Sequence, residues 1–238
     1  IDREVDFSIE MEGSSHVIGS PRVVYITPPG SKKTSHVCIF MDKIDGGDLI
    51  DLFNEKKLPP KTKIRTFRDA ANGLNELHKK GIVHRDIKPD NILFDKNKNV
   101  AKIADLGGAM KTSQMPEGEM LGTPIFYAPE VMRREKQTPA SDIYSFGIMM
   151  HQLSTKTLLA PPEECLDNQG NTYYECPGRL DGDLHVSPSD YQELPEDLRQ
   201  EMADLVNGCL KLDPKQRVSS EQLSERLDSI FQKMETPV

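Results

Sequence analysis

Cysteine is scarce, a long apolar run is missing and positive charge is in deficit, and each shortage narrows what the chain is suited to. The four cysteines (Cys38, Cys165, Cys176, Cys209) form no C-x-x-C pair and have no histidine-rich companion spacing. That argues against a zinc site or a disulfide framework and makes reduced thiols in an intracellular compartment the expectation. No stretch approaches the roughly 20 apolar residues of a membrane span, and no signal-peptide pattern opens the chain. Lys and Arg number 30 against 38 Asp and Glu, a net charge of −8. Nucleic acid and anionic membrane are therefore poor partners, and polypeptides with basic segments suit the surface better. No internal repeat and no low-complexity tail is present. The first residue is Ile1, not methionine, so the chain is read as processed or as part of a longer polypeptide. A cytoplasmic location is expected, with a secreted protein acting inside another cell left open, and oligomeric state is not legible.

What is present is an ordinary globular composition: 238 residues, 36% hydrophobic and 29% charged, enough for one large domain or two lobes around a good core. Residues 2 to 11 place Val5, Ile9 and Phe7, Met11 at i,i+4 spacings and predict an amphipathic helix. Arg22 to Ile26 and Val37 to Met41 read as strands, joined by a turn-rich stretch that holds Lys32 and Lys33. Pro60 to Lys80 carries Ile64, Phe67, Ala71, Leu74 and Leu77 three or four residues apart, so a long one-faced helix is expected, closed by Lys79, Lys80 and a Gly81 cap. Leu158 to Leu194, with four prolines and three glycines, reads as an extended loop and a place for docking or a bland insertion. Leu198 to Leu212 and Ser220 to Met234 read as closing helices, the second with capping residues from Ser219 to Gln222.

The chemistry concentrates in Ile82-Val-His-Arg-Asp-Ile-Lys-Pro-Asp-Asn-Ile-Leu-Phe94, where two acids, a lysine and an asparagine lie between apolar runs. By residue type alone this is a polar turn, where Asp, Pro and Asn are common, or a loop that handles a phosphate. Farther on, Val100-Ala-Lys-Ile-Ala-Asp-Leu-Gly107 reads as a strand ending in Asp105. Gly122-Thr-Pro-Ile-Phe-Tyr-Ala-Pro-Glu130, Ala140-Ser-Asp-Ile-Tyr-Ser-Phe-Gly147 and Asp213-Pro-Lys-Gln-Arg217 complete the set. Together these resemble the eukaryotic-type serine/threonine protein kinases, whose loop pattern is H-R-D-x-K-x-x-N and whose strand ends in D-F-G, here with Leu106 for the aromatic residue.

The resemblance implies an α+β, two-lobed protein-kinase-like fold. Residues 1–44 would be what this chain holds of a small β-rich lobe, incomplete at its N-terminus, and 45–238 a large, mainly helical lobe. It implies transfer of the γ-phosphate of ATP to a serine or threonine of a protein substrate. Asp86 would be the base, Lys88 would reach the moving phosphate, and Asn91 with Asp105 would hold magnesium. The nucleotide set is Met41 as gatekeeper, the backbone of Asp42 and Ile44, Asp48 toward the ribose, Leu93, and Glu4 as the helix acid that pairs with a strand lysine. Glu4 is otherwise an exposed helix acid, and Met41 also counts as a core residue. Asp142 would bond the catalytic-loop backbone, Thr123 would contact Asp86 and Lys88, and Glu130 would pair with Arg217. Glu119 stands four before Thr123, where a loop phosphate would meet Arg85. It is either a built-in carboxylate for that arginine or a solvated loop acid, with Thr112 or Ser113 as regulatory sites. Asp90, Asp48 and the net charge suggest basic residues near the acceptor in the substrate.

The family's glycine-rich phosphate loop and its lysine strand are not within this sequence, and neither Lys32, Lys33 nor Lys43 replaces that lysine convincingly. The parent protein is expected to carry them. The rival reading is a pseudokinase or scaffold that binds a partner protein without catalysis.

Overall fold

A short first helix turns its apolar residues onto the body of the protein. In the computed structural model, which describes all residues except 1, 20–21, 28–29, 31–35, 42, 56–57, 160–162, 167–171, 176 and 236–238, helix α1 spans Asp2–Glu10. Val5, Phe7 and Met11 are buried, but Ile9 is 50% exposed. At 100° per residue Ile9 lies 40° round from Val5, and in the last turn of so short a helix that takes it off the packed face. The chain then crosses helix α3 (Pro60–Lys79): Ser14 Oγ donates to Glu76 Oε2 (2.5 Å) and His16 Nδ1 lies 3.1 Å from Glu76 Oε1. Strands β1 (Arg22–Ile26) and β2 (His36–Phe40) come next as an antiparallel pair with Arg22 opposite Phe40. Beyond them the chain enters helix α2 (Leu49–Asn54), capped by Asp48.

Helix α3 starts with Pro60 at its first position, where a missing N–H costs nothing. Ile64, Phe67, Ala70, Ala71, Leu74 and Leu77 are each at most 2% exposed. The helix ends at Gly81, whose φ of +69° fits a residue without a Cβ and whose N–H reaches His78 O (2.9 Å).

Four short strands then place the loops that matter. Strands β3 (Ile82–Val83) and β6 (Met110–Lys111) pair antiparallel, as do β4 (Ile92–Asp95) and β5 (Val100–Ile103), with Ile92 opposite Ile103. This nesting makes residues 84–91 and 104–109 both cross between the same two ladders, so they lie side by side. Residues 16–18 join that region through Ile18 N–H to Ile103 O and Ile103 N–H to His16 O, both 2.8 Å.

After the short helix α4 (Pro129–Met132), helix α5 (Pro139–Thr155) is buried nearly all round, with Tyr144, Phe146, Met149 and Met150 at most 1% exposed. Stretch 158–194, expected as an extended loop, instead holds the antiparallel hairpin β7 (Glu163–Leu166) and β8 (Thr172–Glu175) and the short helix α6 (Pro177–Leu180). The runs Glu-Glu-Cys-Leu and Thr-Tyr-Tyr-Glu flank the turn-forming residues 167–171 of the sequence, and the aromatic and β-branched content of the second favours pairing. Helices α7 (Glu196–Cys209) and α8 (Ser220–Lys233) close the chain, the latter with a Ser219–Gln222 capping box. Among the described residues the main apolar core runs from Phe7 and Val17 to Phe231, and Val83, Met110 and Met115 form a small separate cluster. Among the described residues no helix is long and apolar enough to cross a membrane.

Candidate active site

The loop 84–91 is fixed from below. Asp142, in the first turn of the buried α5, accepts His84 N–H on Oδ2 and Arg85 N–H on Oδ1 (both 2.8 Å), and Oδ2 also lies 2.9 Å from His78 Nε2. Held this way, Arg85 keeps a left-handed φ of +73°, a conformation that costs a non-glycine residue energy and persists only where neighbours impose it. The Arg85 side chain, 3% exposed, donates through Nε to Gly108 O (2.6 Å) and through Nη1 to Glu119. Of the two readings of Glu119, the structure has the pairing with Arg85.

Asp86 is the centre of a small polar cluster. Thr123 Oγ1 donates to its Oδ1 (2.8 Å), Lys88 Nζ stands 2.9 Å from Oδ2, and Asn91 Nδ2 donates to Asp86 O (2.8 Å) and Oδ2 (3.1 Å). Lys88 Nζ also donates to Thr123 Oγ1 at 2.9 Å. Burial pushes the Asp86 carboxyl up, but the hydrogen bonds from Lys88, Thr123 and Asn91 and the lysine charge outweigh it and leave the group below the ordinary carboxylate range. Asp86 is therefore ionised at neutral pH and able to accept a proton.

Asp105 lies against this cluster by way of the backbone. Ala104 N–H bonds to Asn91 O (2.8 Å), Ala104 O is 3.0 Å from His84 Nε2, and Asp105 comes after it at a φ of +59° with Oδ1 accepting Gly107 N–H (3.1 Å). Asp105 is exposed, whereas Leu106 is 3% exposed in the core, so the leucine keeps an apolar anchor. The amide nitrogen of Asn91 is used on Asp86, which leaves its oxygen, with the exposed Asp105 carboxylate, as hard donors of the type magnesium takes. Among the described residues no group of three or more His, Cys, Asp and Glu gathers as a self-sufficient metal cage.

The nucleotide set is brought together only in part. Glu4 stands beside the Asp105 turn: a Cβ built on Gly107 would be 3.7 Å from Glu4 Oε2. Asp48 forms a β-bridge with Leu93, while its Oδ1 accepts Asp51 N–H (2.9 Å) as a helix cap. Ile44 lines a cavity of about 240 Å³ with Val17, Ile18, Lys98 and Lys102. Met41 is 54% exposed, which corrects its reading as core; among the described residues the two-stranded β1–β2 sheet offers nothing that covers it. Asp42, Lys32 and Lys33 lie outside the described residues.

Glu130 and Arg217 meet as a buried two-pronged pair (2.6 and 2.7 Å), and Ser141 Oγ adds a bond to Glu130 (2.8 Å). Sequence reasoning missed the residues that hold the stretch before Glu130: Gln137, Ser145 and Arg179 bond its carbonyls. Gln137 and Ser145 lie near recognised motifs. Arg179 sits in a turn-rich stretch where a charged residue gives no signal of burial.

The profile of the protein kinase domain matches residues 3–227. A probable serine/threonine-protein kinase of Dictyostelium discoideum is 32% identical over 203 residues, covering 82% of this chain and 14% of that protein. Mitogen-activated protein kinase kinase kinase 17 of Arabidopsis thaliana is 37% identical over 160 residues, 67% of this chain and 40% of that protein. Serine/threonine-protein kinase STE20 of Candida glabrata is 30% identical over 187 residues, 78% and 19% respectively. The chain thus spans well under half the length of each of these three relatives.

Proposed function

This chain belongs to the protein kinase family, and from that premise we propose that it transfers the γ-phosphoryl group of ATP to a serine or threonine hydroxyl of a protein substrate. The observation that carries the reading is the Asp86 cluster: an ionised carboxylate held by Asn91, Thr123 and Lys88, with a lysine ammonium 2.9 Å away. In the proposed reaction Asp86 takes the hydrogen bond of the attacking hydroxyl, aligns the oxygen and receives its proton as the bond to phosphorus forms. Lys88 faces the negative charge on the phosphoryl oxygens. Magnesium, when bound through Asn91 and Asp105, would neutralise the triphosphate.

Residues 1–44 are read as part of a small lobe and 45–238 as the large lobe, with the nucleotide between them. Glu4, Met41, Asp42, Ile44, Asp48 and Leu93 are assigned to its binding. Asp90 is exposed within the loop 84–91, which favours substrates with basic residues near the acceptor; a peptide array showing an acidic or proline-directed preference would remove that part. Cys38 and Cys209 are free thiols, in keeping with a reducing, cytoplasmic setting.

The test is radiolabelled ATP with a basic protein substrate, comparing the full-length protein with its Asp86→Asn variant. Removing the base is expected to lower incorporation by about 10²- to 10⁴-fold. Equal incorporation by the two ends the enzyme reading and leaves partner binding without catalysis.

A further inference from the structure

The stretch 121–127 has one 3-10 turn, Pro124–Phe126, and no helix or ladder, so its shape rests on whatever bonds its carbonyls. Within the stretch, Tyr127 OH donates to Gly122 O (3.1 Å), Phe126 N–H to Thr123 O (2.9 Å) and Tyr127 N–H to Pro124 O (3.1 Å). From outside, Gln137 Nε2 donates to Leu121 O (3.0 Å) and Ser145 Oγ to Phe126 O (2.7 Å). The other two carbonyls go to a single side chain: Arg179 donates through Nη2 to Ile125 O (2.7 Å) and through Nη1 to Tyr127 O (3.1 Å). Nη2 also reaches Leu159 O (3.1 Å), so the same guanidinium ties this stretch to the chain just after α5. Arg179 is 0% exposed.

Such a fork suits the task because a guanidinium presents several N–H groups in one rigid plane, and a lysine cannot hold three carbonyls in fixed relative positions. The stretch it holds contains Thr123, which touches the Asp86 carboxylate. An acceptor hydroxyl must also come within about 2.6–3.2 Å of that carboxylate, so the substrate residues beside the acceptor have to lie against this stretch.

We propose that Arg179 is a positioning residue for the protein substrate, shaping the wall beside the acceptor by clamping the carbonyls of Ile125 and Tyr127. This rests on the kinase reading above. The nucleotide residues come from other elements, so the effect falls on the substrate polypeptide and not on ATP.

Steady-state kinetics of the full-length protein with a basic peptide tests it. Loss of even one charge-assisted hydrogen bond is worth about tenfold or more, so Arg179→Met is expected to raise the KM for peptide about tenfold while the KM for ATP stays within about twofold. Arg179→Lys, which keeps the charge and reaches fewer carbonyls, is expected to fall between, at about threefold. A peptide KM unchanged in both variants overturns the proposal, as does an equal rise in the KM for ATP. If Arg179→Met does not fold, Arg179→Lys carries the test alone; failure of both to fold makes Arg179 a stability residue and also overturns it. Absence of transfer by the unaltered protein is a different result, which removes the kinase reading itself.

Discussion

Asp86 sits between opposing influences, and their balance sets how the site responds to pH. Burial favours its neutral form; the bonds from Lys88, Thr123 and Asn91 and the charge of Lys88 favour the carboxylate and prevail. A carboxyl depressed in the folded state contributes stability that is fully present above its unfolded value of about 3.9 and is lost as pH falls through the folded value. The same sign governs catalysis. Lys88→Met removes both the leading hydrogen bond and the charge, and leaves burial less opposed. The acid limb of kcat/KM against pH is therefore expected to move to higher pH than in the unaltered protein, beside a lower plateau rate. A limb that stays in place would mean that Lys88 does not set the state of Asp86. The gathering of Asp86, Lys88 and Asn91 was legible in the sequence because they lie within six positions and match the family's loop pattern. Arg179 was not, since it bonds the backbone carbonyls of Ile125, Tyr127 and Leu159, which lie twenty or more residues away and carry no side-chain signal.

Between Asp105 and Glu130 the chain has little regular structure, and two of the ion pairs that hold it, Glu130–Arg217 and Arg85–Glu119, differ in character. Glu130 and Arg217 are almost wholly buried, with side chains 3% and 0% exposed, so breaking that pair strands a charge and threatens the fold. Glu119 is 43% exposed while its partner Arg85 is 3% exposed. Solvent screens such a pair, and its contribution is on the scale of an exposed bridge, well short of a buried one. Its position gives it another use, because Arg85 adjoins Asp86 in sequence and also bonds Gly108 O, so the carboxylate links the segment around Glu119 to loops 84–91 and 104–109. We expect Glu119→Gln to lower the kcat of unphosphorylated protein by about two- to fivefold, the range an exposed pair supplies, with the unfolding midpoint nearly unchanged. Equal activity would reduce Glu119 to a solvated acid. Its offset to Thr123 made the pair one of two readings, and the sequence alone did not choose between it and a solvated acid. The hairpin within 158–194 was not, because proline and glycine content reads as loop while strand pairing depends on register between separated runs.

At the scale of the molecule, the question is how the described part of residues 2–44 is fastened to the helical part that carries loop 84–91. The β1–β2 pair exposes Tyr25, Ile26 and Phe40, and so contributes little burial. Besides the burial of Phe7 and Met11 and the Glu10–Lys111 ion pair, the fastening is at residues 14–18: the Ser14 and His16 bonds to Glu76, the bridge from Val17 to Ile103, and the close approach of His16 to α3. That approach needs Gly73, since a Cβ there would stand 2.4 Å from His16 O and 3.0 Å from His16 C, both backbone atoms that cannot swing aside. Gly73 was not legible in the sequence, where a glycine inside a helical pattern is only a weak spot. Two effects of Gly73→Ala oppose each other. Alanine gains about 1 kcal/mol of helix propensity in an interior position. Overpacking typically costs about 1–3 kcal/mol, and a backbone clash at this distance belongs at the upper end. The clash is therefore expected to win, lowering stability by about 1–2 kcal/mol and Tm by roughly 2–8 °C for a chain of this size. Hydrogen exchange is expected to rise first at residues 14–18 and in β5, where the fastening lies, before the α3–α8 region opens. A Tm equal to or above that of the unaltered protein would show that the strap moves aside freely, and Glu4 would then have no fixed seat beside the Asp105 turn.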